Sequence, residues 1–307
     1  MIILAFETSH DDTSISVVEI TKDKKIIHVL ETLSQADFFK NYGGTIPELA
    51  SRLHKDNILK VLDLVKNKFD LSSVDYVAYT EKPGLIGTLH IGFLVASACS
   101  LFLEKPLIPV NHLDGHFFSA EFNKDYQYPV LGLVLSGGHS QFIFAKNDHE
   151  LEVIGQSLDD AIGELFDKIS NKAKLGFPGG PLIDKLCKTN EYSKIKLNKV
   201  KTENEYDLSF SGIKSQVINL IDKNEHPITD LICSMQEHAF MQVLEKTKKI
   251  IATFKPKTLI IGGGVSANSY LRQEIVKLHS NVIIPEIRLA TDNAAMIALA
   301  ASKKVNR

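Results

Sequence analysis

The chain has 307 residues, of which 44% are hydrophobic, and this is enough for two domains of ordinary size, each with its own core. Lysine and arginine (35 residues) nearly balance aspartate and glutamate (37 residues), so the formal net charge is -2. This balance excludes a generally basic surface, and any contact with nucleic acid must rest on a local basic patch.

The three cysteines, Cys99, Cys187 and Cys233, lie far apart and form no CxxC pair. This pattern is typical of a reduced cytoplasmic protein and argues against a thiolate metal site or a disulfide framework. The apolar start of the chain lacks basic residues, which predicts a first strand and not a signal peptide. No apolar run is expected to reach the length of a membrane span, and the expected location is the cytoplasm.

The first half of the chain is predicted to begin with a hairpin. Residues 2–20 are apolar, then small and polar, then apolar again, as in two strands joined by a tight turn. Residues 45–69 predict an amphipathic helix. Residues 74–103 predict a strand, a glycine-rich turn and a helix.

The second half repeats these features. Residues 129–147 show the same apolar–polar–apolar pattern, and residues 257–278 again predict a strand, a glycine-rich turn and a helix. Between them, residues 157–175 predict a further helix, which Ser157 or Asp159 could cap.

The correspondence of the two halves predicts an α/β protein with two lobes, residues 1–127 and 128–292, and a cleft between them. A last helix, about 293–307, is expected to pack on the first lobe. Two unrelated α/β segments are the alternative, because hairpins with glycine turns are common.

Two histidines, His112 and His116, lie four residues apart in "PVNHLDGHFFSAEF". On a helix they share one face and could bind one metal ion, although two ordinary histidines on a partly buried face would give the same pattern. Zinc peptidases place a Glu directly after the first His as general base, whereas this chain has Leu113. Asp114 points away from the pair on a helix, so the spacing disfavours a peptidase.

Asp292 is the candidate third metal ligand, at the predicted start of the last helix. The alternative is that Asp292 or Thr291 simply caps that helix, since a carboxylate at a helix N-terminus is favoured in any case.

Two glycine turns, "LSGGHS" and "GGGVSAN", follow buried strands, and "PGGP" adds a third. Their backbone N–H groups could converge on the phosphates of a nucleotide, or they could be tight turns and nothing more. Asp167 and Asp184 could bind ribose hydroxyls or a cation; otherwise they are solvated helix charges.

The polar segment 188–206 is predicted to be an exposed excursion. It is lysine-rich and interleaved with Tyr192, so it could contact phosphates, and a solvated loop is the alternative.

Ten motifs between residue 3 and about residue 300 resemble, in order, those of the TsaD family (also called Gcp or YgjD). They are "FETSHDDTS", "YGGTIPELASRLH", "PGLIGTLHIG", "NHLDGHFFSA", "LSGGHSQ", "SLDDAIGELFDK", "PGGP", "LSFSGIKSQV", "GGGVSANSYLR" and "TDNAAMIA". Any one of them is a weak signal, whereas ten in order are specific.

The resemblance implies the two-lobed actin-like fold of actin, sugar kinases and Hsp70, with duplicated lobes and a cleft between them. It implies transfer of a threonylcarbamoyl group from threonylcarbamoyl-adenylate to the exocyclic amine of adenosine 37, in tRNAs that read codons beginning with A. It also implies one metal ion, iron or zinc, bound by His112, His116 and Asp292.

The family pattern places Asp11 on the first turn, facing the reaction centre. It places contacts to the adenylate or ATP on Leu135, Ser136, Gly137, Gly138, His139, Asp167, Gly180, Asp184 and Asn268. The implied partners are the tRNA substrate, a TsaB-like paralog in a heterodimer, a TsaE-like ATPase and a TsaC-like synthase that makes the adenylate. No membrane is implied.

The chain departs from the family pattern at a few positions. Asp12 and Asp114 stand where Glu is usual, Phe39 replaces a His, and "TEKPGL" replaces T-x-G-P-G-L. Two other activities stay open, an ATPase or small-molecule kinase of the same fold and a metallopeptidase. A degenerate non-catalytic paralog would have lost the metal ligands that this chain keeps.

Overall fold

The computed structural model describes residues 1–198 and 202–305, so Lys199 and Lys201 of the lysine-rich segment lie outside the described residues. The strands are β1 (Ile2–Glu7), β2 (Asp12–Ile20), β3 (Lys25–Ser34), β4 (Tyr76–Lys82), β5 (Leu107–Asn111), β6 (Val130–Leu135), β7 (Ser140–Asn147), β8 (Glu150–Gln156), β9 (Thr258–Gly262) and β10 (Val282–Ile283). The helices are α1 (Ala36–Phe39), α2 (Pro47–Lys66), α3 (Ile86–Leu103), α4 (His112–Phe118), α5 (Ile162–Lys172), α6 (Gly179–Thr189), α7 (Ser211–Lys223), α8 (Ile228–Phe254), α9 (Ser269–Ile275), α10 (Ile287–Ala290) and α11 (Ala294–Val305).

The first compact unit comprises Met1–Phe122 and Asp292–Arg307. Its sheet has the strand order β3-β2-β1-β4-β5. The first three strands are antiparallel neighbours, whereas β1, β4 and β5 run parallel. The carboxyl ends of these parallel strands therefore lie at the same edge of the sheet, and the segments that follow them meet there.

The core of this unit follows from the alternation of its strands. Leu4 and Phe6 of β1 pack with Ile15 and Val17 of β2 against the apolar face of α2. The terminal helix α11 packs on β1 and β2, and its residues 294–302, mostly alanine, are all buried. Small side chains allow this helix to lie close to the sheet.

The second unit comprises Asn123–Thr291, and its sheet has the order β10-β9-β6-β7-β8. Here β6, β7 and β8 are antiparallel neighbours, and β6, β9 and β10 run parallel. Each sheet thus joins a three-stranded antiparallel meander to two further parallel strands, which is the predicted duplicated α/β architecture. The long helix α8 supplies much of the core of this unit.

A disulfide joins Cys187 in α6 to Cys233 in α8, with Cα atoms 5.3 Å apart. The expectation that the cysteines form no disulfide was therefore wrong. The two residues are 46 apart in sequence and become neighbours only because α6 packs on α8. Cys99 is a free thiol.

Helix α3 is long and apolar enough to cross a membrane by length and composition alone, and 17% of it is buried. The expectation that no apolar run reaches this length was wrong. Its large exposed apolar side chains are Ile86, Phe93, Leu94, Leu101 and Phe102.

The predicted caps of α5 also need correction. The helix begins only at Ile162, and neither Ser157 nor Asp159 caps it. The Asp159 carboxylate instead accepts the backbone N–H groups of Phe210 and Ser211, at the start of α7. Asp159 therefore ties the loop before α5 to the first turn of α7.

Residues 190–198 lie along α8 and are anchored there by their backbone. The Ser193 N–H donates to Asp230, the Ile195 N–H donates to the Ser234 hydroxyl, and Leu197 is buried. Most of the described residues between 188 and 206 are nevertheless exposed, Lys194 and Lys196 among them, as predicted.

Candidate functional site

Three side chains converge at the carboxyl end of β5. The Asn111 side chain accepts the Leu113 N–H and so begins α4, which places His112 and His116 on successive turns with ring centres 4.6 Å apart. The Nε2 atom of His116 lies 3.0 Å from Oδ1 of Asp292, and that of His112 lies 3.6 Å from the same oxygen. The three candidate ligand atoms all lie within 4.8 Å of one another.

Asp292 does not cap the last helix. The Asn293 side chain accepts the Met296 N–H, and the Ser14 hydroxyl accepts the Ala294 N–H. The carboxylate of Asp292 is thus left to face the two histidines, and its alternative role as a cap is excluded.

The charges around these residues act strongly on one another. Burial alone would lower the pKa of His112, but Glu7 and Asp292 raise it to about 9. Burial and the neighbouring His112 lower the pKa of His116. Burial alone would raise the pKa of Asp292, yet the two histidines hold it well below its usual range. A carboxylate between two imidazoles is an arrangement that a cation would stabilise further.

The residues present fit a metal ion. Two imidazole nitrogens and one carboxylate oxygen form a donor set that suits zinc or ferrous iron. Among the described residues, Nδ1 of His116 and Oδ1 of Asp12 are buried without a hydrogen-bond partner. The polar groups of this region are therefore not all satisfied by the protein itself. Three protein ligands would leave coordination positions open for a substrate.

A buried carboxylate, Glu7, contacts His112, and this contact was not predicted from the sequence. Glu7 ends β1, is fully buried, and its Oε2 lies 3.0 Å from Nδ1 of His112. The Ser9 N–H and the Thr80 hydroxyl both donate to this carboxylate at 2.5 Å. In the sequence, Glu7 is an acid that closes an otherwise apolar strand and lies within the motif "FETSHDDTS", but no role was predicted for it.

Asp11 lies on the turn between β1 and β2, as predicted from the resemblance. Its Oδ1 is 2.8 Å from Nδ1 of His10. His54 holds this turn by bonding to the Thr13 hydroxyl and to the His10 carbonyl oxygen, at 2.8 and 2.9 Å. The backbone that positions the Asp11 carboxylate is therefore held in place by His54.

In the second unit, the turn of "LSGGH" is closed by its own hydrogen bonds. The Ser136 N–H donates to the His139 carbonyl oxygen at 2.7 Å, and the His139 N–H donates to the Ser136 hydroxyl at 3.1 Å. A Cβ atom added at Gly137, Gly138 or Gly180 would meet no atom within 4 Å. The backbone is thus open to a ligand at these three glycines.

Three other glycines pack tightly around this turn. A Cβ atom at Gly163 would lie 2.6 Å from the Ser136 carbonyl oxygen, and one at Gly263 would lie 2.3 Å from that of Leu135. At Gly179 it would lie 2.4 Å from a carbonyl oxygen of α5. The absent side chains allow α5, α6 and the turn after β9 to pack closely in one region.

The remaining predicted nucleotide residues each bind the backbone of a neighbouring element. Asp167 accepts the first N–H of α6 at 2.7 Å, and Asp184 accepts the N–H and hydroxyl of Ser269 at 3.0 and 2.7 Å. Asn268 caps α9 and donates to Gln236 at 2.8 Å. Asp167 and Asp184 are therefore not merely solvated charges, and Gln236 is a member of this region that sequence reasoning missed.

Comparison with known proteins decides the family. The sequence model of the TsaD family, described as tRNA N6-adenosine threonylcarbamoyltransferase, matches residues 27–299. Relatives with that name from Mycoplasmopsis synoviae (strain 53) and Mycoplasma mobile are 51% and 52% identical, over 100% of this chain and 99% of each relative. The chain belongs to the TsaD family. The resemblance drawn from the ten motifs is thereby confirmed.

Solved structures share the fold of this TsaD family member at low identity. HypF from T. kodakarensis has a TM-score of 0.69 and 12% identity, over 99% of this chain and 47% of that chain. An activator of 2-hydroxyisocaproyl-CoA dehydratase from Clostridium difficile has a TM-score of 0.55 and 13% identity, over 100% and 97%. The predicted actin-like fold is confirmed. Because the chain belongs to the TsaD family, it is a transferase that modifies tRNA.

Proposed function

We propose that this TsaD family member transfers the threonylcarbamoyl group of threonylcarbamoyl-adenylate to the exocyclic amine of adenosine 37, in tRNAs that read codons beginning with A. In this reaction the bond between the carbamoyl carbon and the phosphate oxygen breaks, a bond to the adenosine nitrogen forms, and AMP leaves. The observation that carries the proposal is the cluster of His112, His116 and Asp292 in a chain of this family.

The three clustered residues would hold one metal ion, iron or zinc. Such an ion supplies Lewis acidity toward the carbonyl or phosphate oxygens of the donor. His112 and His116 are rigidly placed because both lie on α4, whose start is capped by Asn111. The donor is already an activated mixed anhydride, so the protein has to position the reactants and stabilise charge, without a covalent intermediate.

The glycine turns of the second unit are proposed to bind the adenylate. A Cβ atom at Gly137, Gly138 or Gly180 would meet no atom within 4 Å, so a phosphate or ribose could approach the backbone there. Asp167, Asp184 and Asn268 would orient the nucleoside, with Leu135 and His139 completing the turn. Two solved structures of this fold hold nucleotide: the dehydratase activator has bound ADPNP, and a full-length HypF is in a phosphate- and nucleotide-bound form.

Asp11 is proposed to place the attacking amine and to accept its proton. Its carboxylate is 16% exposed and is paired with His10. His10 is itself half exposed, so the pair has a route to solvent for the proton that the amine releases.

Two rival activities make different demands. An ATPase or small-molecule kinase of the same fold would use the second unit, but would not need two imidazoles converging on Asp292 in the first. A metallopeptidase would need a carboxylate beside the metal as general base. Leu113 occupies the position where zinc peptidases carry it, and the nearby Asp114 has a pKa raised by burial and sits close to Lys304.

The proposed partners follow from the reaction. The tRNA is the acceptor, a TsaC-like synthase would supply the adenylate, and a TsaB-like paralog and a TsaE-like ATPase would work with this chain in the cytoplasm. An exposed apolar face on a helix is typical of a protein interface, and the apolar face of α3 supports a protein partner.

The test is reconstitution with unmodified tRNA, threonine, bicarbonate, ATP and a TsaC-like synthase, with and without the TsaB-like and TsaE-like partners, read by nucleoside mass spectrometry. The expected result is threonylcarbamoyladenosine with the wild-type chain and a loss of at least about 100-fold with His116→Ala. His28→Ala, a partly exposed histidine on β3, is the matched control and should retain activity. Full activity of a metal-free His112→Ala/His116→Ala protein would refute the metal role, and phosphorylation of a small molecule in place of tRNA modification would favour the kinase.

A further inference from the structure

We propose that Glu7 is a positioning residue that sets the tautomer and the ring orientation of His112, so that Nε2 of this histidine is presented to the metal ion. The inference rests on the metal site proposed above and adds a residue that neither the spacing of the histidines nor the family motifs assigned. Glu7 would not touch the ion itself.

The hydrogen bond between the two residues selects one tautomer. An ionised carboxylate can only accept, so the 3.0 Å contact between Oε2 of Glu7 and Nδ1 of His112 requires a proton on Nδ1. A neutral imidazole protonated at Nδ1 carries its lone pair on Nε2. That is the atom which lies 3.6 Å from Oδ1 of Asp292.

Other groups hold the Glu7 carboxylate in place. The Ser9 N–H and the Thr80 hydroxyl each donate to it at 2.5 Å. Glu7 and Thr80 lie on the neighbouring parallel strands β1 and β4, so the carboxylate is positioned by the sheet itself.

The carboxylate that contacts His116 is Asp292, a proposed ligand of the same ion, 3.0 Å from Nε2 of this ring. The Ser9 hydroxyl lies 3.2 Å from Nδ1 of His112, but a hydroxyl can donate or accept and so favours neither tautomer. Nδ1 of His116 has no hydrogen-bond partner among the described residues. Of the two histidines, His112 is thus the one whose Nδ1 contacts a carboxylate.

The experiment measures the affinity of the full chain for Zn²⁺ by competition with a chromophoric chelator. Glu7→Gln keeps the size of the side chain and one acceptor oxygen but removes the charge. It is expected to weaken Zn²⁺ binding by about 10-fold to 100-fold, the usual effect of losing such a partner. The matched control is Glu121→Gln, a buried carboxylate of the same unit whose partners are Lys25 and Lys303, and it should bind Zn²⁺ like the wild type.

The outcomes separate the two proposals. If the wild type does not bind Zn²⁺, the metal site itself fails. If the wild type binds but folded Glu7→Gln binds equally well, or Glu121→Gln weakens binding as much as Glu7→Gln, the positioning role is overturned.

A second measurement does not require the Glu7→Gln variant. In Zn²⁺-loaded wild-type protein labelled with ¹⁵N-histidine, the ring of His112 should show a proton on Nδ1 and metal coordination at Nε2 by NMR, with assignment from His112→Ala. Coordination through Nδ1, or an unprotonated Nδ1, would overturn the proposal.

Discussion

At the scale of single residues, Asp12 is a carboxyl whose ionised form is disfavoured in the folded chain. The pKa of Asp12 is raised to about 7, mainly by burial and further by the charges of Asp11, Asp292 and Glu7. A hydrogen bond from Ser34 opposes this rise in part. The histidines offset some of the negative charge in the metal-free protein. A bound cation would offset more, so the pKa of Asp12 should fall when an ion binds.

The pH dependence of stability tests this statement at Asp12. A carboxyl whose pKa is about 7 in the folded chain and 3.8 in the unfolded chain binds its proton more tightly when folded. The free energy of unfolding therefore falls as pH rises through this window, by at most about 1.4 kcal/mol per pH unit, and is constant above it. The amide introduced by Asp12→Asn does not titrate, so the free energy of unfolding of this variant does not fall in this way. The difference, variant minus wild type, should therefore rise from pH 4 to about pH 7 and then stay constant.

The measurement is urea unfolding of both proteins at several pH values in the presence of a chelator. A difference that stays constant from pH 4 to 8 would contradict the raised pKa of Asp12. Added Zn²⁺ should shrink the difference at neutral pH, because a nearby cation stabilises the ionised carboxylate.

At the scale of helices and strands, glycine packing and a disulfide fix the helices and turns around the proposed adenylate site of the second unit. The glycines Gly163, Gly179 and Gly263 allow three elements to press against one turn, while Gly137 and Gly180 stay open. The disulfide between Cys187 and Cys233 ties α6, which carries Asp184, to α8, which carries Gln236. Reducing this bond should therefore loosen the helices next to the proposed adenylate site.

The prediction for the disulfide concerns stability. A bond that closes a 46-residue separation stabilises the folded state by up to about 4 kcal/mol through the unfolded chain. Cys187→Ser should lower the midpoint of thermal unfolding under non-reducing conditions, and a reducing agent should lower that of the wild type to a similar value. The control is Cys99→Ser, which removes the free thiol and should keep the response to reductant. A wild-type midpoint that is insensitive to reductant would contradict the prediction.

Contacts between residues close in sequence could be predicted, whereas contacts between distant residues could not. The four-residue spacing of His112 and His116 is a local pattern, so one face of one helix could be predicted directly. Glu7 lies 105 residues from His112, and Cys187 lies 46 from Cys233, so those contacts depend on strand order and helix packing. Chain-order motifs predicted the duplicated fold because each half repeats the same elements.

Caps were harder to predict, for a physical reason. Thr291, Asp292 and Asn293 are consecutive residues that can all cap a helix, and the choice depends on which residue begins the helical backbone. Asn293 takes that role, and this frees Asp292 for the histidines. Asp159 was misassigned for the same reason, because its carboxylate bonds to α7 and not to the adjacent α5.

At the scale of the whole molecule, the candidate ligands divide between two units with separate cores. His112, His116 and Asp292 all belong to the first unit, because α11 returns the end of the chain to it. The glycine turns, Asp167 and Asp184 all belong to the second. Each candidate site therefore depends on one core and one sheet, and metal binding and adenylate binding should be separable by mutation.

The separation can be tested with two variants and two titrations. His116→Ala should abolish Zn²⁺ binding while retaining the wild-type affinity for ATP, used as a probe of the adenylate site. Gly180→Leu should bind Zn²⁺ normally and lose at least about tenfold in ATP affinity, since the added side chain enters the open space in front of the turn without meeting protein atoms. Lys188→Leu, an exposed position in the last turn of the same helix, controls for a new apolar side chain on α6 and should bind both probes normally. If either site variant loses both ligands while staying folded, the two sites are coupled and do not each depend on their own unit.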